Sequence, residues 1–251
     1  MADQEFAGKT ALVTGGSRGI GRATCVALAR EGAAVAINFT ANQDAANETR
    51  ALVEAEGVKA MIVQADVSEA DQVASMTAAV ERDLGPIDLL VANAGIGTAN
   101  THADLDYAKW SRTMEVNVDG VYHCIMAVKD GMLARGYGRI VCTASIAGLF
   151  ARPFLLDYAV SKAAVIAIVR NFAPGLAPAI RINAVAPGLT ETDMIGGLAS
   201  EQLNSMVEVT PMKRVGAPAE IAQMILFQLS DRSSFTTGQT MVADGGRVTL
   251  P

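Results

Sequence analysis

The sequence predicts a doubly wound α/β fold: a parallel sheet of about seven strands, helices on both faces, and a single domain over residues 1–251. Three observations predict it. Short runs that are apolar throughout alternate with longer segments of helical periodicity, as strands buried on both faces require. Glycine or proline punctuates many of the junctions. Hydrophobic residues make up 51% of the 251 and charged ones only 18%, which suits a large buried core and apolar subunit interfaces.

The elements follow in order. TALVT (10–14) is the first strand, followed by the glycine-rich turn TGGSRGIG (14–21) and by IGRATCVALAREG, whose helical spacing stops at Gly32. AVAINF (34–39) is the second strand, and a polar helix over 42–56 ends at Gly57. AMIVQ (60–64) is the third strand, 69–84 a helix, and Gly85-Pro86 precedes the strand IDLLVAN (87–93). One long helical region fills 107–134 and leads to the strand GRIVCTAS (138–145). A helix over 157–173 then meets Pro174, Gly175 and Pro178. Proline inside a helix removes a hydrogen bond and crowds the preceding turn, so this helix is expected to end or kink near Ala173. The strand IRINAVAP (180–187), a helix near 218–230 and a strand near GQTMVAD complete the alternation, with no linker, internal repeat or low-complexity segment.

Composition excludes several functions. The formal charge of −6 and the lack of a basic run argue against nucleic acid. No apolar stretch is read as reaching the roughly 18 residues of a membrane span, and MADQEFAGKT has no apolar signal core. Cys25, Cys124 and Cys142 are an odd number without paired spacing and read as small buried hydrophobes. His102 and His123 fit no metal-ligand pattern. A soluble, cytoplasmic, metal-free protein is expected.

The turn TGGSRGIG lies between the first strand and the first helix. Its glycines, Gly15, Gly16, Gly19 and Gly21, allow a tight turn and let backbone approach a pyrophosphate at the helix N-terminus. Glycine clusters also serve plain turns; the strand–turn–helix setting favours a dinucleotide. The second strand ends with Phe39, Thr40, Ala41 and Asn42, and no acid precedes Asp44 to bind the ribose hydroxyls and repel a 2′-phosphate. Arg18 supplies a charge that can pair with such a phosphate, although a solvated loop arginine looks the same in sequence. NADP(H) is favoured and NAD(H) is possible.

DYAVSK (157–162) places Tyr158 and Lys162 one helical turn apart. Taken alone, this is most simply two amphipathic side chains reaching water from a half-buried helix. TGGSRGIG, NAG (93–95) and YAVSK, together with ADV (65–67), Asn117 in EVNVDG, Ser145 in TASIAG, APG (186–188) and TGQTMVADGG, resemble the short-chain dehydrogenase/reductase family over essentially the whole chain. Within it the chain is most similar to the 3-oxoacyl-[acyl-carrier-protein] reductase-like members.

The resemblance implies one NAD(P)-binding Rossmann-fold catalytic domain and a set of roles. Gly15, Ser17, Arg18, Gly19, Ile20 and Gly21 would line the pyrophosphate and adenosine ribose, with Thr40 at the 2′ position. Asp66 and Val67 would hold the adenine, and Asn93, Ala94 and Gly95 would back the cofactor. Pro187, Gly188, Thr190 and Thr192 would position the carboxamide, the threonines reading equally as loop caps. Asn117, Ser145, Tyr158 and Lys162 would be the catalytic set, with Lys162 on the nicotinamide ribose and Asn117 supporting a water-linked proton path. The chemistry is coherent. A phenol with pKa near ~10 relays protons poorly unless its anion is stabilised, and an ammonium one turn away is expected to do that. Ser145, thirteen residues before Tyr158, can donate to the carbonyl oxygen as charge develops.

Substrate residues are less legible. IAGLFARPFLL (146–156) and MIGGLASEQLNSMVEV (194–209) are expected to wall the pocket, with Leu149, Phe150, Phe154, Leu155, Met194 and Ile195 favouring an apolar one or facing core or a neighbouring subunit. His102 reads as surface loop near the entrance. Family members that use acyl-carrier protein present arginines just before the serine strand and just after the tyrosine helix. Here those places hold Gly136, beside Arg135, and Pro178-Ala179, with Arg181 displaced, which puts a carrier-protein partner in doubt. The expected activity is NADPH-dependent reduction of a 3-oxoacyl thioester or small ketone to a secondary alcohol, with Tyr158 as proton donor. The alternatives are an NAD-linked secondary-alcohol dehydrogenase and a non-catalytic nucleotide-binding protein of the same fold. The family implies a homotetramer.

Overall fold

The computed structural model describes residues 4–196 and 199–248. Apolar runs become seven parallel strands: β1 (Thr10–Val13), β2 (Ala34–Phe39), β3 (Ala60–Gln64), β4 (Ile87–Ala92), β5 (Gly138–Thr143), β6 (Ile180–Pro187) and β7 (Thr240–Ala243). Their order in the sheet is β3-β2-β1-β4-β5-β6-β7. The chain starts mid-sheet, winds outward to β3, and returns through β4 to the other side of β1. The two halves therefore diverge between β1 and β4, and the crevice at the carboxyl ends of these strands is where such sheets bind ligands.

The helices are α1 (Gly19–Arg30), α2 (Gln43–Glu54), α3 (Ala70–Leu84), α4 (Tyr107–Met114), α5 (Gly120–Arg135), α6 (Leu156–Leu176), α7 (Asp193–Gly196), α8 (Ser200–Glu208) and α9 (Pro218–Leu229). On one face α1 and α9 pack Leu28, Ile221, Ile225 and Leu229 onto Val35, Leu89 and Val91. On the other, Met76, Ile125, Met132, Val165 and Val169 from α3, α5 and α6 cover Leu12, Leu90, Ile140 and Ile182. Each fully buried Leu, Ile or Met contributes roughly 1.5–3 kcal/mol of transfer free energy. Two-sided burial is why the strands lack polar alternation.

Two helices depart from their sequence pattern. The region expected as one helix over 107–134 is interrupted by a π turn at Glu115–Asp119, which joins α4 to α5 and carries Asn117. π turns recur at functional sites because they re-aim a side chain without ending the helix. The tyrosine helix does not stop near Ala173: α6 runs to Leu176 with Pro174 inside its last turn. The amide of Ala177 closes it on Ala173, while Ala173 and Leu176 are buried in the core. Burial of that turn outweighs one lost hydrogen bond.

At 21 residues, α6 does reach the length and mean hydropathy of a membrane span, unlike the sequence reading. It also buries Asp157 and Lys162 in hydrogen bonds, as a core helix does. All three cysteines are buried and unpaired, as read from sequence; burial pushes the Cys124 and Cys142 thiols up to about 12 and Cys25 higher still.

Candidate active site

The glycine turn follows β1 directly. Gly15 has φ +61° and lies against Ala94, where a Cβ would come 3.0 Å from the Ala94 Cα. A Cβ on Gly21 would stand 2.1 Å from the Gly15 carbonyl oxygen, so α1 can start only this close to the turn with glycine there. Whereas α2 is capped by Asn42, which accepts from the Ala45 amide, α1 has no side-chain cap. Its first amides remain to meet an anion. The residues present thus fit a dinucleotide pyrophosphate.

Buried polar side chains hold this corner. Asn93, just past β4, donates to the Thr14 and Gly15 carbonyls and accepts from Thr143 at 3.2 Å, joining the ends of β1, β4 and β5. Asn38, inside β2, accepts from the Gly15 amide at 3.2 Å and donates to the Ala65 carbonyl at 3.0 Å. The signal for Asn38, an amide within the apolar run AVAINF, was present in the sequence and was not read as a site feature.

These elements enclose a cleft of about 480 Å³. It is lined by Gly15, Ser17, Arg18, Gly19, Ile20, Gly21, Thr40, Asp66, Val67, Asn93, Ala94 and Gly95 at the nucleotide end. Ser145, Tyr158, Lys162, Pro187, Gly188, Thr190 and Thr192 line the other end. Every residue assigned from the resemblance is brought to this cleft except Asn117.

Asn117 lies buried behind it. Its amide accepts from the Ile96 N–H and donates to the Ile96 carbonyl, both at 2.8 Å, and donates to Ser161 Oγ at 2.9 Å. The side chain is fully used in pinning the loop after β4 to α6. Gly95 lets this region converge, since a Cβ there would lie 3.2 Å from both Asn117 Oδ1 and Lys162 Nζ.

Lys162 is 3% exposed and donates from Nζ to the Thr143 carbonyl at 2.7 Å; burial lowers its ammonium to about 8. Nζ lies 5.7 Å from the centre of the Tyr158 ring. Burial pushes the Tyr158 phenol above its ordinary value, and the nearby Ser145 hydroxyl pulls in the opposite direction. Desolvation is the larger influence on both groups, and at the phenol Ser145 acts against it. Ser145 Oγ also accepts from the Ala147 amide at 3.1 Å.

Other assignments are qualified by partners the sequence did not reveal. Arg18 is ion-paired across the cleft mouth with Asp193 at the start of α7. Asp66 accepts from Ser68 and, at 2.6 Å, from Arg112; burial raises its carboxyl, but these bonds bring the net shift below the ordinary range. Thr190 and Thr192 donate to the Gly188 and Thr190 carbonyls, the loop-capping alternative. Arg112 and Asp193 line the cleft beyond the sequence assignments, because only tertiary folding brings α4 and α7 to it, and Ile96 lines it directly after Gly95. Of the expected substrate wall, Leu149 packs on the core, whereas Phe150 and Phe154 are exposed. The side chains of Met194 and Ile195, and residues 197–198, lie outside the described residues.

Known proteins share this arrangement. The family described as Enoyl-(Acyl carrier protein) reductase matches residues 15–247. A 3-oxoacyl-[acyl-carrier-protein] reductase of Staphylococcus epidermidis is 38% identical over 239 residues, covering 95% of this chain and 98% of that protein. A short-chain type dehydrogenase/reductase from Mycobacterium marinum superposes with a TM-score of 0.93 at 33% identity, over 99% of this chain and 98% of the other. NAD+-bound xylitol dehydrogenase does so at 0.90 and 36%, over 96% and 100%. With the sheet order, the glycine turn and the serine–tyrosine–lysine cluster, these likenesses place the chain in the short-chain dehydrogenase/reductase family of oxidoreductases.

Proposed function

We propose that this protein reduces a carbonyl, either a 3-oxoacyl thioester or a small ketone, to a secondary alcohol with NADPH. The observation that carries the reading is that Ser145 and Tyr158 line the same cleft, with Lys162 buried one turn further along α6. The glycine turn and the amides of α1 would hold the pyrophosphate, and Lys162 and Asn93–Gly95 the nicotinamide end. When bound, the reduced nicotinamide supplies the hydride. Tyr158 then gives its phenolic proton to the carbonyl oxygen, while the Ser145 hydroxyl donates to that oxygen as its charge grows. A phenol raised by burial is held protonated at neutral pH, as a donor must be, and the Lys162 ammonium offsets the charge left on it.

Arg18 supports NADPH by exchanging Asp193 for a 2′-phosphate. The second reading, an NAD-linked alcohol dehydrogenase, draws on that same ion pair, which occupies Arg18, and on the likeness to NAD+-bound xylitol dehydrogenase. A carrier-protein partner gains no support from the nearest arginines. Arg181 is 7% exposed, with its guanidinium on the Gln228, Leu229 and Ser230 carbonyls. Arg135 donates to the Ile87 carbonyl at 2.6 Å. Tyr122, Met126 and Val160 stand exposed on α5 and α6 and support a homotetramer packed through these helices, in keeping with a soluble cytoplasmic enzyme.

The test is cofactor oxidation by purified protein with NADPH or NADH, an acetoacetyl thioester and a panel of small ketones. Turnover with NADPH that disappears in Tyr158→Phe is expected. Turnover with NADH alone would favour the second reading, and silence across the panel would remove the reductase reading.

A further inference from the structure

We propose that Asp157 is a positioning residue for the proton donor, its buried carboxylate setting where α6 presents Tyr158 relative to Ser145. The proposal rests on the reading of Tyr158 as the acid and goes beyond it, since Asp157 does not line the cleft.

The carboxylate is fully buried and receives three hydrogen bonds from three segments. Asn100 Nδ2, in the loop after β4, donates at 2.6 Å to Oδ1. Thr113 Oγ1, in the last turn of α4, donates at 2.7 Å to Oδ2. The amide of Tyr158 itself donates at 2.7 Å to Oδ1. A buried charge is tolerated only when its lone pairs are met in this way. The location gives it leverage. Leu155 stands at the N-cap of α6 and cannot cap it, so the helix start depends on distant groups: Asn100 Oδ1 accepts from the Leu156 amide at 3.1 Å, and Asp157 accepts from Tyr158.

Thr113–Asp157 is also the first of two parallel ties between the α4–π segment and α6. The second is Asn117–Ser161, four residues further along both, where Ser161 Oγ donates in turn to the Tyr158 carbonyl at 2.7 Å. Tyr158 thus has its amide held through the first tie and its carbonyl through the second. Removing Asp157 frees the amide side, leaves Thr113 as a buried donor without an acceptor and Asn100 with only its bond to the Thr98 carbonyl, and lets the ring move from Ser145.

The test compares Asp157→Ala, Asp157→Asn and Thr113→Val with wild type. Three quantities are read: kcat and KM, NADPH affinity by fluorescence titration, and the titration midpoint of the Tyr158 phenol. The midpoint is read from tyrosinate absorbance as the difference between each protein and the same protein carrying Tyr158→Phe. Asp157→Ala is expected to lower kcat about ten-fold or more with KM and cofactor affinity little changed. Its phenol midpoint should rise as the ring moves away from Ser145. Asp157→Asn, which keeps an acceptor for the Tyr158 amide, should recover most of the activity. Thr113→Val removes one bond of the three and should move the midpoint the same way, by less; it carries the test if Asp157→Ala does not fold. An unmoved phenol midpoint in all three variants, or kcat falling only in step with cofactor affinity, would overturn the proposal. The phenol titration needs no turnover, so a wild type silent toward every ketone would count against the reductase reading while leaving this test intact.

Discussion

The ring of Tyr158 lies against the backbone of Gly97, so near that a Cβ on the glycine would stand 2.6 Å from the tyrosine Cδ2. The loop after β4 thereby forms one wall of the Tyr158 site. Gly97→Ala should push the ring away from Ser145. Kinetics should show kcat reduced about ten-fold or more with NADPH affinity kept, and thermal unfolding should show a loss of about 1–3 kcal/mol from overpacking. Wild-type kcat in this variant would mean that the loop yields instead of the ring.

Ser145 opposes the effect of burial on the phenol. Ser145→Ala should therefore leave Tyr158 protonated to higher pH. Reduction needs the protonated phenol, so activity falls as pH rises through its pKa, and that alkaline limb should move upward in the variant. The rate itself should drop roughly a hundred-fold, the scale for losing a donor to a developing oxyanion. A pH–rate profile with its limb unmoved would place the titrating group elsewhere.

Lys162 has a folded pKa of about 8, below its ordinary 10.5. Between these values the unfolded chain binds the proton and the folded one does not, so stability from this group rises with pH across that window. Below about 8 both states are protonated and the burial cost is fully present, on the order of 3 kcal/mol. Lys162→Met should be inactive yet melt higher than wild type at neutral pH, with the difference shrinking toward pH 10.5. A lower melting temperature at neutral pH would show that the bond to the Thr143 carbonyl outweighs desolvation.

Asp193 and the 2′-phosphate of NADPH compete for Arg18 under the proposed function. Asp193→Ala should raise the NADPH-over-NADH affinity ratio by up to about five-fold, in keeping with the ~0.2–1 kcal/mol of an exposed ion pair. Arg18→Ala should lower NADPH affinity and leave NADH near wild type. Titration of both variants with both nucleotides checks this; an unchanged ratio in each would remove Arg18 from cofactor choice.

The alternation of apolar strands with amphipathic helices determined the sheet and its two covered faces, because burial on both sides leaves an uninterrupted apolar run in the chain itself. The glycine turn was legible for a related reason: contacts as close as Gly21 to the Gly15 carbonyl admit no other residue. Tyr158, Lys162 and Ser145 were legible through the resemblance carried by the whole set of motifs, since helical spacing alone reads as two amphipathic side chains. Only the tertiary structure decided what these groups meet. The π turn at Glu115–Asp119 and the extension of α6 through Pro174 reflect packing against the core, which overrides local preference. The partners Asp193 of Arg18, Arg112 of Asp66, and Asn100 and Thr113 of Asp157 lie between 44 and 175 residues away in the chain. Local sequence carries periodicity and steric permission, whereas desolvation and hydrogen-bond pairing depend on which distant segments the fold brings together. Sequence alone therefore named Tyr158 and its helix as the proposed donor's place, and the fold determined which groups surround and hold that side chain.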